Sequence, residues 1–196
     1  MKQSKQWNVQ KIVLVGMLAA FIFISTRFLS IPIMTPAGKT MLKTANALCL
    51  LFGILFGGVS GGLAAGIGSA LFDLTDPMYA PTAWITFIKF FLMAFVCGKI
   101  AHIGGANGNN KKLNLIASIS GVVLMYIMYY SEKIITLMLG GSELVPALGA
   151  VATIIPTSVF NIIFAIVVSQ ILTPVLRKAL SLSLIHISEP TRLDVI

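Results

Sequence analysis

The chain is 196 residues long, 57% hydrophobic and only 10% charged, with a mean hydropathy of +0.96. A soluble domain of this size carries about a quarter of its residues as charged groups, so soluble globular, disordered and nucleic-acid-binding classes fit poorly. Lys plus Arg number 14 against 6 Asp plus Glu, a formal charge of +8, and in so apolar a chain that excess reads as topology signal, because cytoplasmic loops of membrane proteins collect basic residues.

Met1–Gln10 is polar and basic, and the apolar run from Ile12 is too long for a cleaved signal peptide, so a retained first span is expected. A span needs about 20 mostly apolar residues. The candidates are residues 12–26 with their flank 27–33, the uncharged run 44–72, residues 77–98 interrupted only by Lys89, residues 113–131, and residues 144–176 with Pro146, Pro156 and Pro174. As one helix, 44–72 would be about 43 Å long, so two short helices broken near Gly57-Gly58 are expected. Charge selects that reading. With six spans and the N-terminus inside, Lys2, Lys5, Lys11, Lys99, Lys111, Lys112, Arg177 and Lys178 all fall on the cytoplasmic side. The predicted fold is an all-α integral membrane protein of six transmembrane helices, both termini cytoplasmic, occupying residues 1–181. Leu182–Arg192 reads LSLIHISEPTR, which resembles the translated sequence of a transposase sequencing adapter, so residues 182–196 are expected to be a scar and are left out of the fold.

Small residues recur four apart in Gly53–Ala70, as Gly53/Gly57/Gly61 and Gly58/Gly62/Gly66/Ala70. Such spacing lets helices approach closely in lipid. Gly16 and Ala20, beside Ala19, repeat it in the first span; there packing within the bundle competes with docking of another membrane subunit. Cys49 and Cys97 lie in apolar runs without a CxxC or His partner and read as buried thiols rather than a metal site. Thr35–Thr40 (TPAGKT) ends like a phosphate loop, but Ile33 stands where that motif needs glycine. With no catalytic set, no metal cluster and no nucleotide loop, no cofactor and no enzymatic activity are expected.

Span direction places Asn46, Asp73, Trp84, Lys89, Tyr126, Tyr129, Tyr130, Thr153, Thr157 and Asn161 in the outer half or near mid-depth. Tyr126, Tyr129 and Tyr130 share a helix face, as do Thr153, Thr157 and Asn161. Pro156 within that last helix would free the Ala152 carbonyl, which suits a cavity wall. Each residue has a plainer reading: Tyr and Trp favour membrane interfaces, Lys89 could snorkel or pair with Asp73 or Asp76, and Asn161 could bond another helix. Convergence from five helices points to an outward-facing pocket for a small planar polar molecule, with Asn46, Asp73, Trp84, Lys89, Tyr126, Tyr130, Thr157 and Asn161 as its binding residues.

The run TANALCLLFGILFGGVSGGLAAGIGSALFDLTDPMYAPTAWITFIKFFLMAFVCGKIAH (Thr44–His102) resembles S components of energy-coupling factor (ECF) transporters, the riboflavin- and hydroxymethylpyrimidine-type group. The resemblance extends over roughly Lys11–Leu180. It implies a six-helix vitamin-binding subunit of a bacterial cell membrane, with a flavin as the first substrate and a thiamine-precursor pyrimidine or pyridoxine-type ring as alternatives. It implies that the loop Pro32–Lys43 closes over the pocket. It also implies that Gly16, Ala19 and Ala20 dock on a transmembrane coupling subunit, that two separate ATPases complete the importer, and that the loaded subunit topples in the bilayer. A stand-alone small-solute carrier or channel is the competing class; it would be expected to show inverted repeats, and the two halves of the chain show no convincing similarity.

Overall fold

The computed structural model describes residues 9–188, with side chains through residue 180. Seven helices follow one another: α1 (Val9–Phe28), α2 (Ala45–Phe56), α3 (Gly58–Leu74), α4 (Ala83–Ala101), α5 (Lys111–Leu139), α6 (Leu144–Ala152) and α7 (Ile155–Ser188). Between α1 and α2 the chain forms an antiparallel hairpin of β1 (Ser30–Thr35) and β2 (Gly38–Lys43), with Ser30 opposite Lys43 and Thr35 opposite Gly38. Gly38 closes the turn at φ +97°, a left-handed conformation that favours glycine, after Pro36 has preset its start.

Four helices are long and apolar enough to cross a membrane: α1, α4 with its preceding turn, α5 and α7. The expected division of 44–72 is present. Gly57, at φ +83°, separates α2 from α3, which at 12 and 17 residues are shorter than a full span. α2 is apolar around its whole circumference, and nine of its twelve residues are buried, from Ala45 to Ile54. That pattern belongs to a core helix rather than a lipid-facing one. α3, α4 and α7 pack around it, with α1 lying across α3.

The glycine stripe does what close packing in lipid requires. A Cβ on Gly53 would lie 2.5 Å from the carbonyl oxygen of Ala94 in α4, and one on Gly61 2.6 Å from the Gly53 nitrogen. Three backbones therefore meet where α2, α3 and α4 converge, with Gly98 closing the contact from α4. Cys49 and Cys97 are free and buried in this core.

Two features differ from the sequence reading. The run 144–176 is two helices, because the chain turns at Thr153-Ile154 and restarts with Pro156 in the first turn of α7, where its missing N–H costs little. Thr153 caps α6 and is exposed, so it shares no continuous stripe with Thr157 and Asn161. α5 continues past residue 131 to Leu139, which places Glu132 inside a helix instead of in an outer loop. At the C-terminus the α7 backbone is helical through Ser188, and residues 189–196 lie outside the described residues.

Candidate functional site

The hairpin lies across one end of the bundle and is fixed there by side chains from three other segments. The Asn161 amide in α7 serves β2 as a neighbouring strand would: the Lys43 backbone N–H donates to its Oδ1 (2.9 Å), and its Nδ2 donates to the Met41 carbonyl (2.8 Å). Thr40 and Tyr129 share a hydroxyl–hydroxyl bond of 3.1 Å. Lys39 donates to Asp76 at 2.5 Å, in the loop after α3. At the tip, Ala37 packs on Val151 and Ile154 where α6 meets α7.

Beneath β2 lies a cavity of about 60 Å3. Met41 and Lys43 form its roof. Phe90, Met125, Tyr126 and Tyr129 give it apolar and aromatic walls, and polar groups enter from α2 (Asn46), α3 (Asp73), α4 (Thr86, Lys89), α5 (Glu132) and α7 (Ser158, Asn161). The mixture of rings with a few convergent donors and acceptors is what a site for a small planar polar molecule needs.

Its electrostatics rest on paired charges. Lys89 donates to Glu132 within the bundle, both side chains less than a tenth exposed, and the Lys89 ammonium also lies 5.3 Å from the Tyr129 ring centre. Lys43 is held among three rings, its Nζ 5.5 Å from the centre of Phe90, 5.7 Å from Phe72 and 5.9 Å from Tyr79. Burial pulls the Lys43 ammonium below its usual range, and the nearby Asp73 charge opposes that shift. Burial pushes the Tyr79 phenol upward, while the Lys39 ammonium holds the Asp76 carboxyl below the ordinary aspartate range.

Of the residues expected at the site, Asn46, Asp73, Lys89, Tyr126 and Asn161 line this cavity. Trp84 does not: it is 65% exposed and points away from the bundle. Tyr130 packs beside Tyr126 and Tyr129, against the cluster under the hairpin tip, and Thr157 is half-buried outside the lining, which α7 supplies through Ser158 and Asn161. Lys89 pairs with neither Asp73 nor Asp76. Its partner is Glu132, and the partner of Asp76 is Lys39. Sequence reasoning missed Glu132 and Lys43, both counted as loop charges; the one local signal for Glu132 was its position three residues beyond Tyr129, about 60° around the same helix. On α1, Gly16 and Ala20 are exposed, but Ala19 is 3% exposed and its carbonyl lies against Gly68 of α3, so Ala19 is not part of a free surface.

A helical membrane protein with a strand-lidded polar cavity at one end is thus defined. The chain belongs to the ECF-type riboflavin transporter S component family, whose model matches residues 6–178. It is a substrate-binding membrane subunit of the ECF transporter class, a transporter family rather than an enzyme family, and such subunits work with ECF membrane and ATPase modules. Its fold is also similar to a solved structure reported as "Structure and mechanism of the S component of a bacterial ECF transporter", with a TM-score of 0.56 and 23% identity over 89% of this chain and 97% of that one. No curated protein matches the chain significantly.

Proposed function

We propose that this subunit binds riboflavin in the cavity beneath the hairpin, at the outer face of a bacterial cell membrane, and delivers it through a separate coupling subunit driven by two ATPases. The observation that carries the reading is the cavity itself: aromatic walls from α4 and α5, with lysine, amide and carboxylate groups spaced around them. A flavin ring offers flat faces for stacking and a polar edge for such groups, and the name of the family to which the chain belongs supports the same substrate.

At about 60 Å3 the cavity is far below the ~300 Å3 of a typical small-molecule site. Admission of a flavin therefore requires the hairpin to lift, breaking its hydrogen bonds and the Lys39–Asp76 pair and parting Ala37 from Val151 and Ile154. The distribution of basic residues supports six crossings with both termini inside, which puts the hairpin outside. α2 and α3 would then cross as a short pair embedded among longer helices. On α1, the exposed pair Gly16 and Ala20 is the surface offered to the coupling subunit; no atom lies within 4 Å of a Cβ built on Gly16.

The direct test is purification in mild detergent, denaturation and identification of released small molecules by absorbance and mass spectrometry. A yellow flavin spectrum is expected. A colourless pyrimidine or pyridine would transfer the cavity to another vitamin. Uptake into liposomes by this chain alone, without coupling module or ATP, would replace the subunit reading with a stand-alone carrier.

A further inference from the structure

Two residues that line the cavity carry a buried acceptor with no hydrogen-bond partner among the described residues. Asn46, in the first turn of α2, is 2% exposed, and Asp73, in the last turn of α3, is 3% exposed. The atoms concerned are the Asn46 Oδ1 and the Asp73 Oδ1. The Tyr126 hydroxyl lies within reach of the Asn46 side chain, yet that Oδ1 stays unpaired. Lys43 acts on Asp73 through space, but neither ion pair among the described residues includes Asp73: Lys39 goes to Asp76 and Lys89 to Glu132. Leaving a polar group unpaired at this depth is costly, more so when it is charged, and buried groups left so are rare.

Resting on the riboflavin reading above, we infer that Asp73 and Asn46 are the receptors for the ligand's hydroxylated side chain, and that Asp73 is the residue that makes the site demand hydroxyls. The chemistry of the two halves of the vitamin selects this assignment. The polar edge of the flavin ring carries one N–H flanked by two carbonyls. Set against two orphan oxygens, it would offer a single donor and bring two acceptors into repulsion. The side chain carries four hydroxyls, each able to donate, and a carboxylate oxygen accepts such bonds in their stronger, charge-assisted form. The ring edge is better matched by donors on the other walls, Lys89 and Thr86 of α4. A site built to hold hydroxyls rejects an analogue lacking them strongly, because its own polar groups are then left buried and unpaired.

The experiment compares riboflavin with lumiflavin, the same ring carrying a methyl group in place of the hydroxylated chain, by quenching of flavin fluorescence on the purified full chain in detergent. Wild type is expected to bind riboflavin at least tenfold more tightly than lumiflavin. Asp73→Asn, the same shape without the charge, is expected to weaken riboflavin about tenfold or more while leaving lumiflavin within twofold. Equal affinities of wild type for both ligands would overturn the assignment, as would equal losses for both in the variant; water satisfying the two acceptors gives the first result and a purely structural Asp73 the second. The wild-type comparison stands even if Asp73→Asn fails to fold. Failure of wild type to bind riboflavin at all would instead sink the substrate reading on which this one rests.

Discussion

The two ends of the bundle are built on different principles, although the same helices run through both. α2 carries Asn46 toward the hairpin and Gly53 toward the opposite end; α4 carries Lys89 and then Gly98. At the hairpin end, helices are held apart by side chains and joined through ion pairs and hydrogen bonds. At the other end backbones touch, with no room for a methyl group between Gly53 and Ala94. Close backbone contact has one geometry and tolerates no adjustment, whereas polar ties can be exchanged for equivalent ties to a ligand. The molecule thus pairs a fixed base with an adjustable mouth.

The sharpest way to break that contrast is to place bulk in the base. Gly98→Leu drives a side chain into the backbones of Gly53 and Gly58. It is expected to cost about 3 kcal/mol or more and to yield protein that is aggregated or melts far below wild type, read by size-exclusion chromatography and thermal unfolding in detergent. Gly16→Ala, where no atom lies within 4 Å, is the control and is expected to melt at or slightly above wild type. If Gly98→Leu behaved like the control, the base would be as adjustable as the mouth.

The second test removes a charge at the mouth. Breaking the Lys89–Glu132 pair through Lys89→Ala or Glu132→Ala leaves a buried charge alone and is expected to cost about 3–5 kcal/mol. The double change Lys89→Met with Glu132→Met is expected to regain most of that stability in a thermal melt. Riboflavin affinity should stay low in Lys89→Ala and in the double variant, since the Lys89 donor has gone with the pair. Recovered affinity in the double variant would mean that the pair serves only the fold.

The base was the more legible end in the sequence. Glycines four apart announce close approach whatever the partner, and an uncharged run too long for one helix announces its own break, found at Gly57. The mouth was legible by residue type but not by direction. Trp84 was placed there by depth alone, yet it lies five residues before Lys89, about 140° around the helix from the buried face. Thr86, three residues before Lys89, faces inward instead. Glu132 was read as a loop charge because an ionisable residue looks like the end of a span. Only tertiary pairing with Lys89 permits it inside, and pairing between distant helices leaves no local trace. The two strands before Asn46 stand where the sequence reads only a loop, Pro32–Lys43, in an all-α fold, and their docking on Asn161 depends on a residue more than a hundred positions away.

The lid gives a third comparison, smaller in energy but specific in kinetics. Both amide atoms of Asn161 are engaged by the β2 backbone, so its role is to position the hairpin. Two neutral hydrogen bonds are together worth about 1–3 kcal/mol. Asn161→Ala is expected to speed both association and release of riboflavin by roughly tenfold, measured by stopped-flow fluorescence. A residue contacting ligand alone would raise only the release rate, and that outcome would remove Asn161 from the lid.

The smallest effect belongs to Lys39 and Asp76, each side chain 19% exposed. A pair so near solvent contributes at most about 1 kcal/mol, so Asp76→Asn should hasten ligand release no more than a few-fold at neutral pH. Its value lies in the sign of its pH dependence. Lys39 holds the Asp76 carboxyl below the ordinary value of 3.8, so the tie is fully present above that value. It is lost only as pH falls through the lowered one, when the carboxyl takes up a proton. Release from wild type should therefore accelerate below pH 3.8 toward the Asp76→Asn rate, closing a gap that stays constant from neutral pH down to the ordinary range. A gap that persisted at the acid limit would show that the loop after α3 is held to the hairpin by something other than this charge, and that the mouth is less adjustable than its polar ties imply.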